Sequence, residues 1–226
     1  MIDVLIPTVG RADRLAAVAA NVHEATVTPH RVVFIVEEHD KASCAAVADM
    51  VPADSGLINL HGPTYAGAIL TGYQQTDGEF LFAGADDLRF HPGWDLAALA
   101  VNAQVVGTND LCNPFVGAGT HATHYLVHRH YLDTVGGVID QGPGSFLNTI
   151  YDHQYTDTEF VGTAIHRGVF APCMESIVEH LHWSTGKSDP DATTVKTNAR
   201  ISEDEELFRS RRHLWAFADC HQEMAV

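Results

Sequence analysis

Basic residues are scarce in this 226-residue chain: 13 Lys plus Arg stand against 29 Asp plus Glu, a formal net charge of −16. A field of that sign repels a polyphosphate backbone, so bulk nucleic acid is not expected as a partner. Cysteine is sparse too. Cys44, Cys112, Cys173 and Cys220 are scattered, with no C-x-x-C pair, which argues against a zinc ribbon or a disulfide framework and suits reduced thiols in a cytoplasmic protein. No apolar run reaches the roughly 18 residues a membrane span requires, and Met1 to Pro7 is too short and too acidic for a signal peptide. The 15 histidines include no H-E-x-x-H, so a zinc hydrolase is not indicated. Internal repeats and low-complexity segments are also missing.

What is present is an ordinary apolar fraction, 46%, enough for a substantial core without staples. The first half alternates strand and helix patterns. Residues 2–6 read as a buried strand stopped by Pro7, and a helix carries Leu15, Val18, Ala19 and Val22 at helical spacing. Strands follow at 32–36, 57–60 and 80–83, with helices between them at 41–50 (closed by Pro52) and 65–75. Such alternation indicates parallel βαβ units, whose ligands lie at the carboxyl ends of the strands. Thr8, Arg11, Glu37, Glu38, Asp86 and Asp87 stand at those ends and should converge on one crevice.

The second half is less regular. We read a helix over 94–103, short strands at 105–106 and 111–112, a strand at 125–128, a helix over 155–167 and a strand over 175–181. Gly-rich loops occupy 117–119 and 136–144, and Ser202 with Glu205 forms a capping-box pattern for a last helix. The most informative stretch is Phe80-Leu81-Phe82-Ala83-Gly84-Ala85-Asp86-Asp87, an apolar run ending in two carboxylates. Adjacent buried acids are costly unless a cation neutralises them. A hard divalent ion that also holds a substrate phosphate is the usual solution. Phe90-His91-Pro92-Gly93-Trp94 then supports this loop, with Trp94 packed beneath it.

Ile6-Pro7-Thr8 with Arg11, the acids Glu37-Glu38, the run Gly62-Pro63-Thr64-Tyr65-Ala66-Gly67-Ala68 and the strand entering Asp86-Asp87 together resemble the family 2 glycosyltransferases of the GT-A fold, closest to compact, often phage-encoded members. The resemblance spans about residues 2–187. It implies a Rossmann-like α/β fold with a mixed central sheet flanked by helices. Residues 1–103 would form the nucleotide-sugar half, 104–187 the acceptor half and 188–226 a C-terminal extension with a helix. It also implies an inverting, Mn²⁺- or Mg²⁺-dependent transfer from a UDP- or GDP-sugar to a glycan, protein or small-molecule acceptor, in a bacterial or phage-infected cytoplasm.

On that resemblance Asp86 and Asp87 hold the metal, while Thr8, Arg11, Glu37, Tyr65 and Ala66 line the nucleotide site. Asp157 is the general base and Glu159 its fallback. Of His180 and His182, which alternate on one strand face, His182 is the expected metal ligand, and Lys187 meets the diphosphate. Two positions depart from the family pattern: Gly84 stands where an earlier aspartate is common, and Leu70 replaces an asparagine. Two other readings compete. A sugar-phosphate nucleotidyltransferase would need a basic Gly-rich loop, whereas Pro7-Thr8-Val9-Gly10-Arg11 has one glycine. A non-catalytic GT-A-like nucleotide- or glycan-binding protein would bind a nucleotide without releasing its diphosphate.

Overall fold

A computed structural model describes residues 1–50 and 54–215, so Pro52 and Cys220 lie outside the described residues. The first half is β1 (Ile2–Thr8), α1 (Leu15–Ala25), β2 (His30–Val36), α2 (Lys41–Ala48), β3 (Ser55–Ile58), α3 (Tyr65–Gln75) and β4 (Phe80–Ala83). A short β5 (Leu88–Phe90) and α4 (Trp94–Leu99) lead into β6 (Val105–Asn109), α5 (Pro114–Gly117), β7 (Tyr125–His128) and α6 (Arg129–Thr134). The chain continues through α7 (Thr156–His166), the long β8 (Phe170–His180), α8 (Ala192–Asn198) and α9 (Ile201–Arg211). All strands join one sheet in the order β3-β2-β1-β4-β7-β6-β8-β5. The first four are mutually parallel, β7 runs antiparallel to both β4 and β6, and β8 is parallel to β6 but antiparallel to β5.

Side-chain alternation explains why both faces are covered. Leu5, Val33, Ile35, Leu81 and Ala83 pack on one face with Ile69, Phe146 and Phe160. Val4, Ile6, Val32, Phe34 and Phe82 point to the other, against Leu15, Val22 and Trp94. Trp94 is fully buried; its ring lies 4.7 Å from Phe82 and 5.2 Å from Phe90, and its indole N–H donates to Thr26 Oγ1 at 2.9 Å. It therefore props the strand that carries Asp86 and Asp87 from below, as expected.

Pro7 does not stop the first strand. It pairs in register with Ile35, and the strand continues through Thr8. The Leu5 carbonyl accepts from Gly84 N at 2.9 Å, so alternation aims the nitrogen of Pro7 toward the same side, past the last residue of β4, where no ladder bond is lost.

Residues 111–112 form a turn rather than a strand. Leu111 has φ 52°, and Asp110 Oδ1 accepts the amides of Cys112 and Asn113, both at 2.9 Å. These local side-chain bonds compete with a ladder and win. The strand expected at 175–181 begins earlier, at Phe170, because it pairs β6 before a register shift and β5 after it.

The capping box at Ser202 does not form. Helix α9 starts at Ile201 with no side-chain cap, and Glu205 instead bonds Arg209 one turn on. The unforeseen α8 has its own cap: Asp191 accepts from Thr194 N at 2.9 Å.

Candidate active site

A cleft of about 550 Å³ opens over the carboxyl ends of β1 and β4. Its wall includes Pro7, Thr8, Val9, Arg11 and Ile35 from the first strands and their loops, Asp86, Asp87 and His180, and Thr123, His124, residues 152–154, Thr156 and Asp157 from the second half. Helix α8 contributes Lys196 and Asn198.

The two adjacent aspartates have different partners. Asp86 is 4% exposed; its Oδ2 accepts from Thr8 Oγ1 at 2.7 Å and its Oδ1 from Arg11 Nη1 at 2.6 Å. Burial pushes its pKa up, with Arg11 and Thr8 pulling against it. Arg11 also bonds Asp191 at 2.7 and 3.0 Å, so one guanidinium joins the first loop, the aspartate pair and the cap of α8. Desolvation and these carboxylates act oppositely on Arg11, and the carboxylates prevail, raising its pKa.

Asp87 faces histidine instead, its Oδ2 lying 3.5 Å from His180 Nε2. Burial opposes its ionisation, but the bond to His180 and the nearby His180, His124 and Arg11 outweigh that and hold the carboxyl at about 2. The sheet sets this contact: Leu88 pairs with His180, and Leu181 N donates to the Asp87 carbonyl at 2.8 Å.

His182, the expected ligand, lies one pleat further on. It caps a short turn through Ser184, at 2.6 Å from the hydroxyl and 3.3 Å from the amide, and its ring is 4.9 Å from that of His180. It lines the cleft, but His180 is the histidine beside the carboxylate.

His124 was not singled out in the sequence. Its Nδ1–H donates to the Ala83 carbonyl at 3.0 Å, which leaves Nε2 a buried lone pair without a partner. Burial, then the charge of His180, lowers its pKa to about 4, so it is neutral near pH 7.

Could these residues hold a divalent ion? Among the described residues no three His, Cys, Asp or Glu side chains are grouped to hold one unaided. Asp86 has both oxygens committed. Asp87 with His180 supplies a carboxylate and an imidazole, which suits an ion that completes its shell with substrate phosphate and water. The donor set fits a two-ligand site, with Asp87 rather than the pair Asp86-Asp87 as its carboxylate.

Asp157 stands in the first turn of α7. Its Oδ1 accepts from Thr158 N at 2.8 Å, and its Oδ2 lies 3.4 Å from His121 Nε2. Burial raises its pKa, but the bond and charge of His121 overcome this, and the net direction is down. The carboxylate is thus ionised and oriented, and it borders the cleft.

Glu159 is 1% exposed and does not line the cleft. It accepts from Asn148 Nδ2 at 2.7 Å, Tyr151 Oη at 2.6 Å and Arg211 at 2.8 and 2.9 Å. These bonds leave it no free oxygen for proton transfer and make it an anchor for α9.

The remaining expected contacts separate. Thr8, Arg11 and Tyr65 line the cleft, and Tyr65 donates to the Gly84 carbonyl at 3.2 Å. Glu37 is outside it, accepting from Asn59 Nδ2 at 2.8 Å, and Ala66 is buried in α3. Lys187 is also outside, bonded to the Leu111 carbonyl and to Glu179, each at 3.0 Å. Lys196 of α8, not singled out in the sequence, is the lysine that lines the cleft among the described residues.

Gly84 and Leu70 both sit in packed surroundings. A Cβ at Gly84 would lie 2.8 Å from Ile6 Cδ1 and 3.1 Å from the Leu5 carbonyl, so any side chain there requires Ile6 to turn aside and the backbone to give by a few tenths of an ångström. Leu70 packs against the core.

The C-terminal segment also builds the site. The buried Asp204 of α9 accepts three successive amides, Asp152 N (2.9 Å), His153 N (2.9 Å) and Gln154 N (2.8 Å). Tyr155, the next residue, has φ 64° and stacks on Phe208 of α9 at 5.2 Å. A left-handed non-glycine residue persists only where its surroundings impose it.

No family model matches the chain, and no curated protein matches it in sequence. Solved structures do match it in shape. The mannosyltransferase PcManGT from Pyrobaculum calidifontis, in complex with GDP-Man and Mn²⁺, is 17% identical with a TM-score of 0.60, over 79% of this chain and 56% of its own. This chain thus spans little more than half the length of that enzyme. A mycobacterial protein is 11% identical with a TM-score of 0.60, over 93% of this chain and 74% of its own. Glucosyl-3-phosphoglycerate synthase from Mycobacterium tuberculosis, in complex with Mn²⁺, UDP-glucose and phosphoglyceric acid, is 10% identical with a TM-score of 0.57, over 93% and 79%. At these identities the likeness is one of fold: the chain has the GT-A fold of nucleotide-sugar transferases, with a mixed central sheet flanked by helices.

Proposed function

We propose that this protein is a metal-dependent, inverting glycosyltransferase, of the family 2-like type, that moves a sugar from a UDP- or GDP-sugar to an acceptor hydroxyl. The observation that carries this reading is the presence, in one GT-A cleft, of a candidate metal carboxylate and a separate ionised base, Asp87 with His180 and Asp157 with His121. That two neighbours of the same fold were solved with Mn²⁺ and GDP-Man or UDP-glucose supports it.

Asp87 and His180 would hold Mn²⁺ or Mg²⁺, which when bound neutralises charge on a departing diphosphate. The chain's own residues do the rest. Thr8, Arg11 and Tyr65 border the nucleotide, and Lys196 offers its ammonium to the diphosphate. Asp157 takes the proton of the acceptor hydroxyl as that oxygen bonds the anomeric carbon and the bond to diphosphate breaks. With its pKa below the usual carboxylate range, Asp157 is in the basic form throughout the neutral range. A cytoplasmic setting accords with the free Cys44, Cys112 and Cys173. Among the described residues no helix is long and apolar enough to cross a membrane.

The test is a screen of UDP- and GDP-sugars for release of nucleoside diphosphate, with Mn²⁺, with Mg²⁺ and with chelator. Asp157→Asn should lower turnover on the active donor by about 10²–10⁴-fold while leaving nucleotide binding intact, and Glu159→Gln should retain turnover in whatever fraction stays folded. Full turnover in Asp157→Asn refutes the assigned base. Nucleotide binding without turnover on any donor would favour a purely binding protein.

A further inference from the structure

The charges around the cleft constrain what the second substrate can be. Among the described residues the Lys and Arg side chains in its wall are Arg11 and Lys196, facing Asp86, Asp87, Asp152 and Asp157. Arg11 is committed to Asp86 and Asp191. Lys196 has no ion pair among the described residues, so on the proposed function a donor diphosphate claims it together with the ion at Asp87 and His180. No cation is then left for the acceptor. Around Asp157 the wall is Thr123, residues 152–154 and Thr156, with Asp152 as a further anion. Arg200, the cation nearest in contact to that segment, is turned to Asp152 and Glu203, and Arg211 to Glu159 and Asp140.

The wall does offer an aromatic surface. Trp183 is 36% exposed, borders the cleft, and is tilted against His182 with ring centroids 5.6 Å apart. An indole partly open in the wall of a cleft presents an apolar face to a ligand while its neighbours supply hydrogen bonds. The C–H face of a pyranose matches it, and uncharged hydroxyls match the acidic and imidazole groups nearby.

From this charge balance and this ring we infer that the acceptor is an uncharged glycan, a neutral pyranoside seated against Trp183, and that phosphorylated or carboxylated small molecules are excluded as acceptors. This inference rests on the proposed transferase function for the word acceptor. Its binding content stands apart from turnover and is tested apart from it.

The experiment is saturation-transfer NMR on the full chain with diamagnetic Mg²⁺ and either UDP or GDP. The probes are methyl α- and β-glycosides of glucose, galactose and mannose, with maltose and cellobiose, against 3-phosphoglycerate and glycerol 3-phosphate. At least one neutral glycoside should receive saturation and both anions none. Trp183→Ala should weaken that glycoside by about tenfold, and Trp183→Phe should retain most of the affinity. Unchanged nucleotide affinity and Tm in both variants show that fold and donor site are intact.

Saturation of either anion, silence across all neutral glycosides, or undiminished glycoside binding in Trp183→Ala overturns the inference. If the neutral glycoside binds as expected but no donor is turned over, the proposed function fails and the glycan site survives.

Discussion

Asp204 provides the sharpest test of how the C-terminal segment shapes the site. Its carboxylate receives three consecutive backbone amides at 2.8–2.9 Å, Oδ1 taking Asp152 N and Oδ2 taking His153 N and Gln154 N, and the residue is 4% exposed. In Asp204→Asn one oxygen survives. The variant therefore keeps one or two of the three bonds and points an amide N–H₂ at the remaining donor. A hydrogen bond to a charged group contributes about 1.5–3 kcal/mol, and a buried donor left unpaired costs about 1–3 kcal/mol. The net loss should be about 2–4 kcal/mol, with Asp204→Ala at the upper end or beyond. For a protein of this size about 3 kcal/mol corresponds to a fall in Tm of roughly 6–12 °C. The loop also carries His153 and Gln154 into the cleft and leads through Tyr155 to Asp157, so the acceptor KM should rise while the nucleotide Kd changes little. Differential scanning calorimetry and steady-state kinetics would read both effects. If Asp204→Asn melts within about 1 °C of the parent and retains its acceptor KM, the claim that this carboxylate organises the loop is wrong.

Four further outcomes follow from the same contacts. Gly84→Ala should lower Tm by several degrees, because a Cβ there meets Ile6 and the Leu5 carbonyl within 2.8 and 3.1 Å; an unchanged Tm would mean the loop relaxes freely. His180→Ala should weaken Mn²⁺ binding in the presence of nucleoside diphosphate by about 10-fold or more, and His182→Ala much less, read by Mn²⁺ electron paramagnetic resonance; the reverse order would return the ligand to His182. Asp191→Asn should loosen α8, seen as faster proteolysis between residues 187 and 200, with no loss of the core. Hydrogen bonding to Arg11 is the main cause of the lowered pKa of Asp191, so the clamp is present above the ordinary carboxylate range and is lost as pH falls through the depressed value. Wild-type α8 should therefore open only on strong acidification, whereas opening between pH 5 and 7 would contradict the ion pair.

How much of this was legible in the sequence depended on how local each cause was. The strands 80–83 and 125–128 and the helix over 65–75 follow from short-range pattern, and the structure returns their bounds unchanged. Pro7 misled because a missing N–H matters only if a neighbour would have accepted from it, and whether β4 extends that far is tertiary information. Ser202 and Glu205 had the spacing of a cap, but Glu205 found Arg209 and the helix began earlier, a competition that spacing does not resolve. Glu159 stood behind Asp157 as a fallback because both occupy the first turn of α7; that Arg211, 52 residues later, ties up its carboxylate is written in no local pattern.

The histidines show the limit most clearly. His180 ends β8 and His182 stands two residues beyond it, so a strand reading of this stretch places both on one face. Two residues along a strand is nearly 7 Å, more than enough to decide which imidazole reaches a carboxylate. That choice belongs to the pairing of Leu88 with His180 across about 90 positions of chain. A slip of two residues would keep every apolar side chain of β8 on its own face and bring His182 to Asp87 instead. Hydrophobic patterning is blind to such a slip, and the hydrogen bond from Leu181 N to the Asp87 carbonyl opposes it. The aspartate pair divides for the same reason. Neighbours in sequence point to opposite sides of the loop, so Asp86 meets the guanidinium of Arg11 and Asp87 the imidazole of His180, and two residues alike in sequence differ by what each faces.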